Sequence, residues 1–308
     1  MAKGLTPQLS KRSAMAVPQN IEKLGLFQQS NSGQVTRLKG AFPPLRFRGT
    51  NIYPHLDPSH FHSGNAISPG SDAIVNDLIE DMAALGITSY YLNVGLEPTG
   101  GYGYVMTPEG TTLLGKLATQ LRGYQQKAVA RGAHLDIVVR YASEMNISDA
   151  YSAHPDPTAY KDTLKEIRKR LNPNGLPPIR LAYSPALSFQ TVEADLSRYF
   201  PEDAHLIDVI SCTWYINGHT AGSSSTDALR VMKDYFLHRL GRGKPFGIDE
   251  IGGWDGHNSN DIPLAQMFSA LAALSGQVRF DYVTVFLENA KDGKANYNLN
   301  PTLNFLRT

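Results

Sequence analysis

A regular alternation of strand-like and helix-like segments constrains the fold of this chain more than any other feature of its sequence. Apolar or β-branched runs occur at 46–52, 87–94, 135–140, 179–184, 206–213, 245–250 and 282–287. Most of them follow a stretch in which apolar residues recur every three or four positions, which is the spacing of an amphipathic helix. Because parallel strands need crossover connections, the alternation predicts a parallel sheet covered by helices.

Eight strands of this kind would close a (β/α)8 barrel, whereas an open doubly wound sheet is the alternative. Beyond the seven runs, an eighth strand, third in chain order, is predicted at 102–106 in a glycine-rich stretch. Residues 1–40 are rich in Gln, Ser, Asn and Lys and show little periodicity. We therefore predict a single α/β domain, a TIM barrel at residues 41–308, preceded by an irregular N-terminal arm at residues 1–40.

Composition and motifs limit the partners of the chain. It carries 29 Lys and Arg against 28 Asp and Glu, so its net charge gives no attraction to nucleic acid or to an anionic membrane. No Gly-x-Gly-x-x-Gly follows the first predicted strand and no phosphate-binding Gly-Lys-Ser/Thr loop occurs, which argues against nucleotide chemistry. The single cysteine, Cys212, excludes an intramolecular disulfide and a thiolate zinc cluster. We expect no cofactor, and an uncharged partner such as a sugar fits this surface.

The sequence also bears on location. No run reaches the length of a membrane-spanning helix, and the N-terminus lacks the apolar stretch of a secretory signal. We expect a soluble monomer that is either cytoplasmic or exported by a route that the sequence does not display.

Two glutamates stand where strand-like runs end. Glu144 follows the run at 135–140, and Glu250 ends the run at 245–250. On this strand count they belong to the fourth and seventh strands, whose C-terminal ends lie on opposite sides of a barrel mouth. Two facing carboxyl groups can cleave a glycosidic bond, and retention requires them to be about 5–5.5 Å apart. Either glutamate alone could equally be a solvated loop residue or an ion-pair partner. By the two-residue period of a strand, Asp249 is expected to point away from Glu250, into the barrel wall.

The segment around the first glutamate resembles a known family. Residues 140–146, Arg-Tyr-Ala-Ser-Glu-Met-Asn, are similar to the Arg-x-x-His-Glu-Met-Asn segment of glycoside hydrolase family 26, a clan A family best known for β-mannanases. Further segments resemble the family in the same order, at 179–185, 199–215 and 244–252, so that the likeness covers about residues 110–290. The resemblance implies a retaining, endo-acting hydrolase of β-linkages in a polysaccharide, with Glu144 as acid/base and Glu250 as nucleophile.

Four further residues are candidates for contacts with the substrate or the carboxylates, one of them from the resemblance and three from their positions in the sequence. Tyr215 matches the clan tyrosine that hydrogen-bonds the nucleophile, with a rim aromatic packed on a loop as the alternative. Trp214 and Trp254, the only tryptophans, stand beside rim positions where a flat ring could stack on a sugar; for Trp214 a buried packing role is the alternative. Arg140 lies inside a strand run, where a buried arginine needs partners, and is expected to brace the carboxylates or to form a structural salt bridge.

Two positions depart from the family pattern. Ser143 stands where the family has His before the acid/base, and Phe286 stands where related enzymes usually carry the Trp that forms the floor of the cleavage subsite. Both changes imply altered contacts with the sugar and weaken the expectation that the substrate is mannan. Mixed-linkage glucan, xylan and bacterial exopolysaccharide are equally compatible with the sequence. The Ser143 departure also keeps open a barrel that binds glycans without cleaving them.

A histidine-rich loop follows the run at 46–52. We expect Asn51 and His55 to line the sugar cleft there. Together with Asp57, the histidines His55, His60 and His62 could instead form the metal site of a metal-dependent hydrolase, although their spacing matches no established ligand pattern.

Overall fold

A computed structural model describes residues 17–28, 47–56, 65–98, 101–146, 156–172, 178–187, 197–217, 230, 233, 235, 243–254 and 261–287. Its strands are β1 (Ile21–Gln28), β2 (Gly49–Ile52), β3 (His55–Leu56), β4 (Ser89–Pro98), β5 (His134–Tyr141), β6 (Arg180–Tyr183), β7 (Ala186–Leu187), β8 (Val209–Ile210), β9 (Thr213–Asn217), β10 (Phe246–Trp254) and β11 (Phe280–Leu287). The α-helices of the described part are α1 (Pro69–Ala84), α2 (Pro108–Ala130), α3 (Pro157–Leu171) and α4 (Asp261–Ala273), and short 3-10 helices occupy Tyr102–Met106 and Ala204–Leu206.

Eight parallel strands form a nearly closed barrel. The hydrogen-bonded order is β1, β11, β10, β8, β6, β5, β4, β2, with β9 continuing β8 beside β10. The two ends of this series, β1 and β2, also meet. The amide of Arg48 donates to the carbonyl of Leu24 over 2.7 Å, and the hydroxyl of Thr50 donates to the carbonyl of Leu26 over 2.9 Å. The predicted (β/α)8 barrel is therefore confirmed.

Two details of the strand prediction are wrong. Residues 102–106 form a 3-10 helix instead of a strand, with Tyr102 and Val105 buried. The missing strand is β1, within the range assigned to the arm, so that assignment is corrected for residues 21–28; residues 1–16 and 29–40 lie outside the described part. Gly25, whose Cβ position is occupied by Tyr91, and the buried Lys23 interrupt the apolar pattern of this strand. Because the two errors offset each other, Glu144 still follows the fourth barrel strand and Glu250 still lies in the seventh.

Three helices begin with the same device, an oxygen-bearing cap followed by proline. The side chains of Ser68, Thr107 and Asp156 accept hydrogen bonds from amides three residues ahead, in α1, α2 and α3 respectively. A cap of this kind satisfies a free amide of the first turn, and proline there has no amide to lose. Between the helices and the strands lies the main hydrophobic core.

The barrel interior is layered. At its lower end the rings of Tyr91 and Tyr282 lie 4.9 Å apart, packed with valine and alanine side chains of neighbouring strands. Glycines on nearby strands make room for these rings: a Cβ atom at Gly25 or Gly49 would overlap Tyr91, and one at Gly247 would overlap Tyr282. Above this apolar layer lies a polar one, formed by the buried side chains of Asn51, Asn93, Ser184, Ser211, Asp249 and Thr284.

In the described part of the chain, no helix combines the length and the apolar character needed to cross a bilayer.

Replacing Gly49 with alanine should destabilise the barrel because its new methyl group must displace the Tyr91 ring. Overpacking of a tight interior typically costs about 1–3 kcal/mol, and we expect a loss of that size in the free energy of unfolding. Urea unfolding followed by circular dichroism measures it. Gly123→Ala in α2 is the matched control, since nothing lies within 4 Å of its Cβ position. That variant should gain up to about 1 kcal/mol from helix propensity. Equal effects of the two substitutions would contradict this packing.

Candidate active site

A β-bulge in β10 aims two consecutive carboxylates into the barrel. Ile248 pairs with Val283 of β11 and Ile251 pairs with Val285, so two residues of β10 oppose one of β11. A bulge breaks the alternation of a strand and re-aims its side chains. Both Asp249 and Glu250 consequently bond to side chains of other strands inside the barrel. The expectation that Asp249 faces the barrel wall is wrong for this reason.

Glu250 is held by three donors. Its Oε1 accepts a hydrogen bond of 2.7 Å from the hydroxyl of Tyr53 and an ion-paired one from Nη2 of Arg140. Its Oε2 accepts from the hydroxyl of Tyr215. Nη2 of Arg140 also donates to the hydroxyl of Tyr53 over 2.8 Å, which ties two of the donors together. Glu250 thus acts only as an acceptor, as a carboxylate does.

The donors around Glu250 keep their protons. Burial alone would lower the pKa of Arg140, but the charges of Glu250 and Asp249 and the hydrogen bond to Glu250 hold that pKa well above its usual value. Burial, followed by the charge of Glu250, raises the pKa of Tyr53 and that of Tyr215. The guanidinium therefore stays cationic and both phenols stay able to donate.

Glu144, just beyond β5, has a different environment. Its Oε1 accepts one hydrogen bond of 2.6 Å, from the hydroxyl of Thr213. Burial is the main cause of the raised pKa of Glu144, and the charges of Glu250 and Glu97 raise it further. The Thr213 hydrogen bond and the charge of Arg140 oppose that rise in pKa. The net result is a carboxyl group that holds a proton more tightly than an exposed glutamate does.

Thr213 connects the two glutamates. It pairs in register with Glu250 between β9 and β10, and its hydroxyl reaches Glu144. Because the charge of Glu250 also raises the pKa of Glu144, the two side chains share one electrostatic environment. The structure therefore brings Glu144 and Glu250 to the same part of the barrel mouth.

The backbone that carries Glu144 is strained and pinned. Ala142 and Glu144 have φ values of 46° and 67°, in the left-handed region that few residues other than glycine adopt. The amide of Glu144 donates to the carbonyl of Ser184 over 2.9 Å. The side chain of Asn146 donates to the carbonyl of Ala186 over 2.9 Å and accepts from its amide over 2.8 Å. Such strain persists where surrounding contacts enforce it and is frequent at functional sites.

Four aromatic rings form a wall beside Glu250. Phe286 stacks on Phe27 with ring centres 4.7 Å apart, and each of these two meets a tyrosine edge-on. Tyr53 contacts Phe27 at 4.8 Å and Tyr215 contacts Phe286 at 5.8 Å. Phe286, at the position expected to form a sugar platform, remains partly exposed, whereas Phe27 is buried.

Two residues predicted to contact the substrate are buried in the structure, and for Trp214 this agrees with the packing role that was its alternative. Trp214 is 1% exposed and packs in the main hydrophobic core, so it offers no face to a sugar. Asn51 is 0% exposed and donates instead to the hydroxyl of Tyr53 over 3.0 Å and to the carbonyl of Asp249 over 2.9 Å. Asn51 therefore supports the site from below. Ser143, beside Glu144, is 5% exposed and offers a sugar little surface.

For two other predicted residues, Trp254 and His55, the structure describes the backbone alone. Trp254 ends β10 and His55 begins β3. His60 and His62 lie outside the described residues. Within the described part of the chain, no group of three His, Cys, Asp or Glu side chains could hold a metal ion.

Three contributors to the site escaped prediction. Tyr53 lies two residues beyond Asn51, and the two-residue period of strands could have placed both on the inner face. Phe27 belongs to the strand hidden in the predicted arm. Thr213 carries no sequence signal, because a single hydroxyl in a strand is common whether or not it contacts a carboxylate.

Together, the fold and the rim define a (β/α)8 barrel that carries one glutamate after its fourth strand and one in its seventh. Solved structures of similar fold include the catalytic domain of a GH26 endo-β-1,4-mannanase from Bacillus sp. JAMB-750, with a TM-score of 0.63, 15% sequence identity and coverage of 92% of this chain and 84% of that one. A GH26 β-mannanase from Bacteroides ovatus matches with a TM-score of 0.59 at 15% identity, over 92% of this chain and 87% of that one.

A β-mannanase from a symbiotic protist of the termite Reticulitermes speratus matches with a TM-score of 0.57 at 13% identity, over 92% of this chain and 86% of that one. No family model matches the chain, and no curated protein is significantly similar to it in sequence. The chain therefore has a barrel like that of the GH26 mannanases, and the likeness is one of fold.

Opposite changes beside Glu144 should move its pKa in opposite directions. Thr213→Val removes the hydrogen bond that lowers this pKa, so we expect the pKa of Glu144 to rise. Glu97→Gln removes a negative charge that raises it, so we expect the pKa to fall. Carbon-13 NMR titration of the glutamate side-chain carboxyls measures both shifts. Shifts in the same direction, or none in either variant, would contradict this electrostatic picture.

Proposed function

We propose that this protein is a retaining glycoside hydrolase that cleaves β-linkages within a polysaccharide by double displacement. The observation that carries this proposal is the contrast between two carboxyl groups at one barrel mouth. Glu250 accepts hydrogen bonds from a guanidinium and two phenols, whereas Glu144 is partly buried and its pKa is raised. Environments that separate the roles of two carboxyl groups are the basis of glycosidase chemistry.

In the first step Glu250 attacks the anomeric carbon while Glu144 donates its proton to the leaving oxygen. The glycosidic bond breaks and a glycosyl ester forms on Glu250. In the second step Glu144 takes a proton from water, which attacks the same carbon and releases Glu250. Two inversions at one carbon retain the anomeric configuration.

The change of role at Glu144 follows from its neighbour. In the free protein the charge of Glu250 helps to raise the pKa of Glu144, which favours an acid. Ester formation neutralises Glu250 and removes that contribution. The pKa of Glu144 then falls, and the group is better suited to act as a base in the second step.

The substrate class follows from the neighbours and from the wall of the site. The solved structures of similar fold are named as β-mannanases, which favours a β-linked polysaccharide. Phe286, which stacks on Phe27, stands where related enzymes usually carry a tryptophan, and its smaller ring offers a sugar less flat surface than an indole would. A panel of mannan, mixed-linkage glucan, xylan and bacterial exopolysaccharide, assayed for new reducing ends, identifies the substrate. No step in this scheme requires a cofactor.

Removing either carboxyl group should abolish most turnover. We expect Glu144→Ala to lower kcat about 10²–10⁴-fold through loss of acid/base catalysis, and Glu250→Ala to lower it at least as much. Release of reducing ends from the polysaccharide identified by the panel measures both. Glu166→Ala on α3 is the control, since Glu166 pairs with Arg170 on the outer surface. Near-normal rates in either site variant would contradict the proposal, and glycan binding without cleavage by the unaltered protein would favour a binding barrel.

Rescue by azide should distinguish the nucleophile, Glu250, from the acid/base, Glu144. With an activated aryl β-glycoside, azide replaces the nucleophile of Glu250→Ala and gives the inverted α-glycosyl azide. In Glu144→Ala it replaces the water of the second step and gives the β-glycosyl azide. NMR of the products distinguishes the two anomers. Exchanged anomers would reverse the assigned roles.

A further inference from the structure

The side chain of Asp249 is the centre of the polar layer beneath the site. It is 0% exposed. Its Oδ1 accepts a hydrogen bond from the side-chain amide of Asn93 and another, over 2.7 Å, from the hydroxyl of Tyr282. Its Oδ2 accepts from the hydroxyls of Ser184 and Ser211. These donors belong to four different strands of the barrel or to the residues directly after them, so one carboxylate ties together opposite sides of the interior.

The backbone of Asp249 is held as firmly as its side chain. Its amide donates to the carbonyl of Cys212 over 2.9 Å, and its carbonyl accepts from the side chain of Asn51 over 2.9 Å. Asn51 also donates to Tyr53, one of the donors to Glu250. Asp249 is thus joined to the site both through the chain and through Asn51.

A buried carboxylate needs an explanation beyond packing. Burying a charge is costly unless hydrogen bonds and opposite charges compensate for it, and the layer directly below is filled by apolar and aromatic side chains at no such cost. What distinguishes Asp249 is its place at the bulge. In a regular strand, a side chain that points inward forces its neighbour to point into the wall. Here Asp249 and Glu250 both point inward.

We infer that Asp249 is a positioning residue that holds the bulge of β10 open and thereby directs Glu250 toward Arg140, Tyr53 and Tyr215. This role rests on the proposed function, in which Glu250 is the nucleophile. The four side-chain donors keep Asp249 inside the barrel, and the Asn51 and Cys212 contacts fix its peptide groups. Without this anchorage, a regular strand would turn the carboxylate of Glu250 away from its donors.

An Asp→Asn substitution tests this role with little change in size. Asp249→Asn converts one acceptor oxygen into a donor that faces other donors, and it removes the charge that makes the hydrogen bonds strong. We expect kcat to fall at least about tenfold with KM unchanged, because the variant disturbs the attacking group and leaves the sugar-binding surface intact. Reducing-end assays across substrate concentrations separate the two constants.

Asp281→Asn is the matched control. Asp281 lies on the neighbouring strand β11 and accepts from Arg180 over 2.7 Å, and among the hydrogen bonds of the described residues neither member of this salt bridge bonds to Asp249 or its donors. This variant should lose stability in urea unfolding and keep kcat. A kcat of Asp249→Asn within threefold of the unaltered protein would overturn the inference, as would equal losses of kcat in the two variants.

A second variant keeps the inference testable if Asp249→Asn does not fold. The double variant Ser184→Ala/Ser211→Ala retains the charge of Asp249 and removes both donors to Oδ2. It should lower kcat severalfold with KM unchanged, and an unchanged kcat would overturn the inference.

A crystal structure of Asp249→Asn, or of the double serine variant if Asp249→Asn does not fold, tests this inference independently of the proposed function. We expect the carboxylate of Glu250 to leave hydrogen-bond distance of Tyr53 or Tyr215. If Glu250→Ala proved active, the proposed function would fail, yet this structure would still decide the role of Asp249. If Glu250 kept its contacts with Arg140, Tyr53 and Tyr215 in the variant, the positioning role of Asp249 would be overturned.

Discussion

The ion pair between Arg140 and Glu250 is the interaction on which the upper half of this barrel depends. The guanidinium is fully buried and the carboxylate nearly so, and buried charges survive only where partners and hydrogen bonds replace water. Tyr53 contacts both members of the pair, and Asp249 adds a second negative charge beside Arg140. The charges of the site therefore compensate one another, and removal of one charged side chain leaves a buried charge without its partner.

The layers of the interior explain how this group of charges is supported. A chain of hydrogen bonds runs upward from Tyr91, whose hydroxyl lies 2.7 Å from that of Thr284, through Asn51 and Tyr53 to Glu250. The apolar rings below the chain seal the barrel, and the glycines that face them allow the strands to approach. The position of Glu250 at the mouth is thus linked by hydrogen bonds to the ring packing at the lower end of the barrel.

Much of this organisation can be predicted from the sequence, and the exceptions have physical causes. The alternation of strands and helices predicted the barrel because a two-residue and a 3.6-residue period differ clearly. The alternation missed β1 because Lys23 and Gly25 interrupt the apolar pattern by which a strand is recognised. Asp249 was misplaced because a bulge is a relation between two strands that one strand cannot display. The sequence left the rim and the core both open for Trp214, because the position of a residue in the chain does not say which face of its strand it occupies.

The central claim is that Glu250 is the group that becomes bonded to the sugar, and covalent trapping tests it most directly. A 2-deoxy-2-fluoro-β-glycoside with a good leaving group slows the second step, so that the glycosyl ester accumulates. Mass spectrometry of the digested protein should then find the label on Glu250. A label on any other residue, or none in a preparation that still releases reducing ends, would contradict the account.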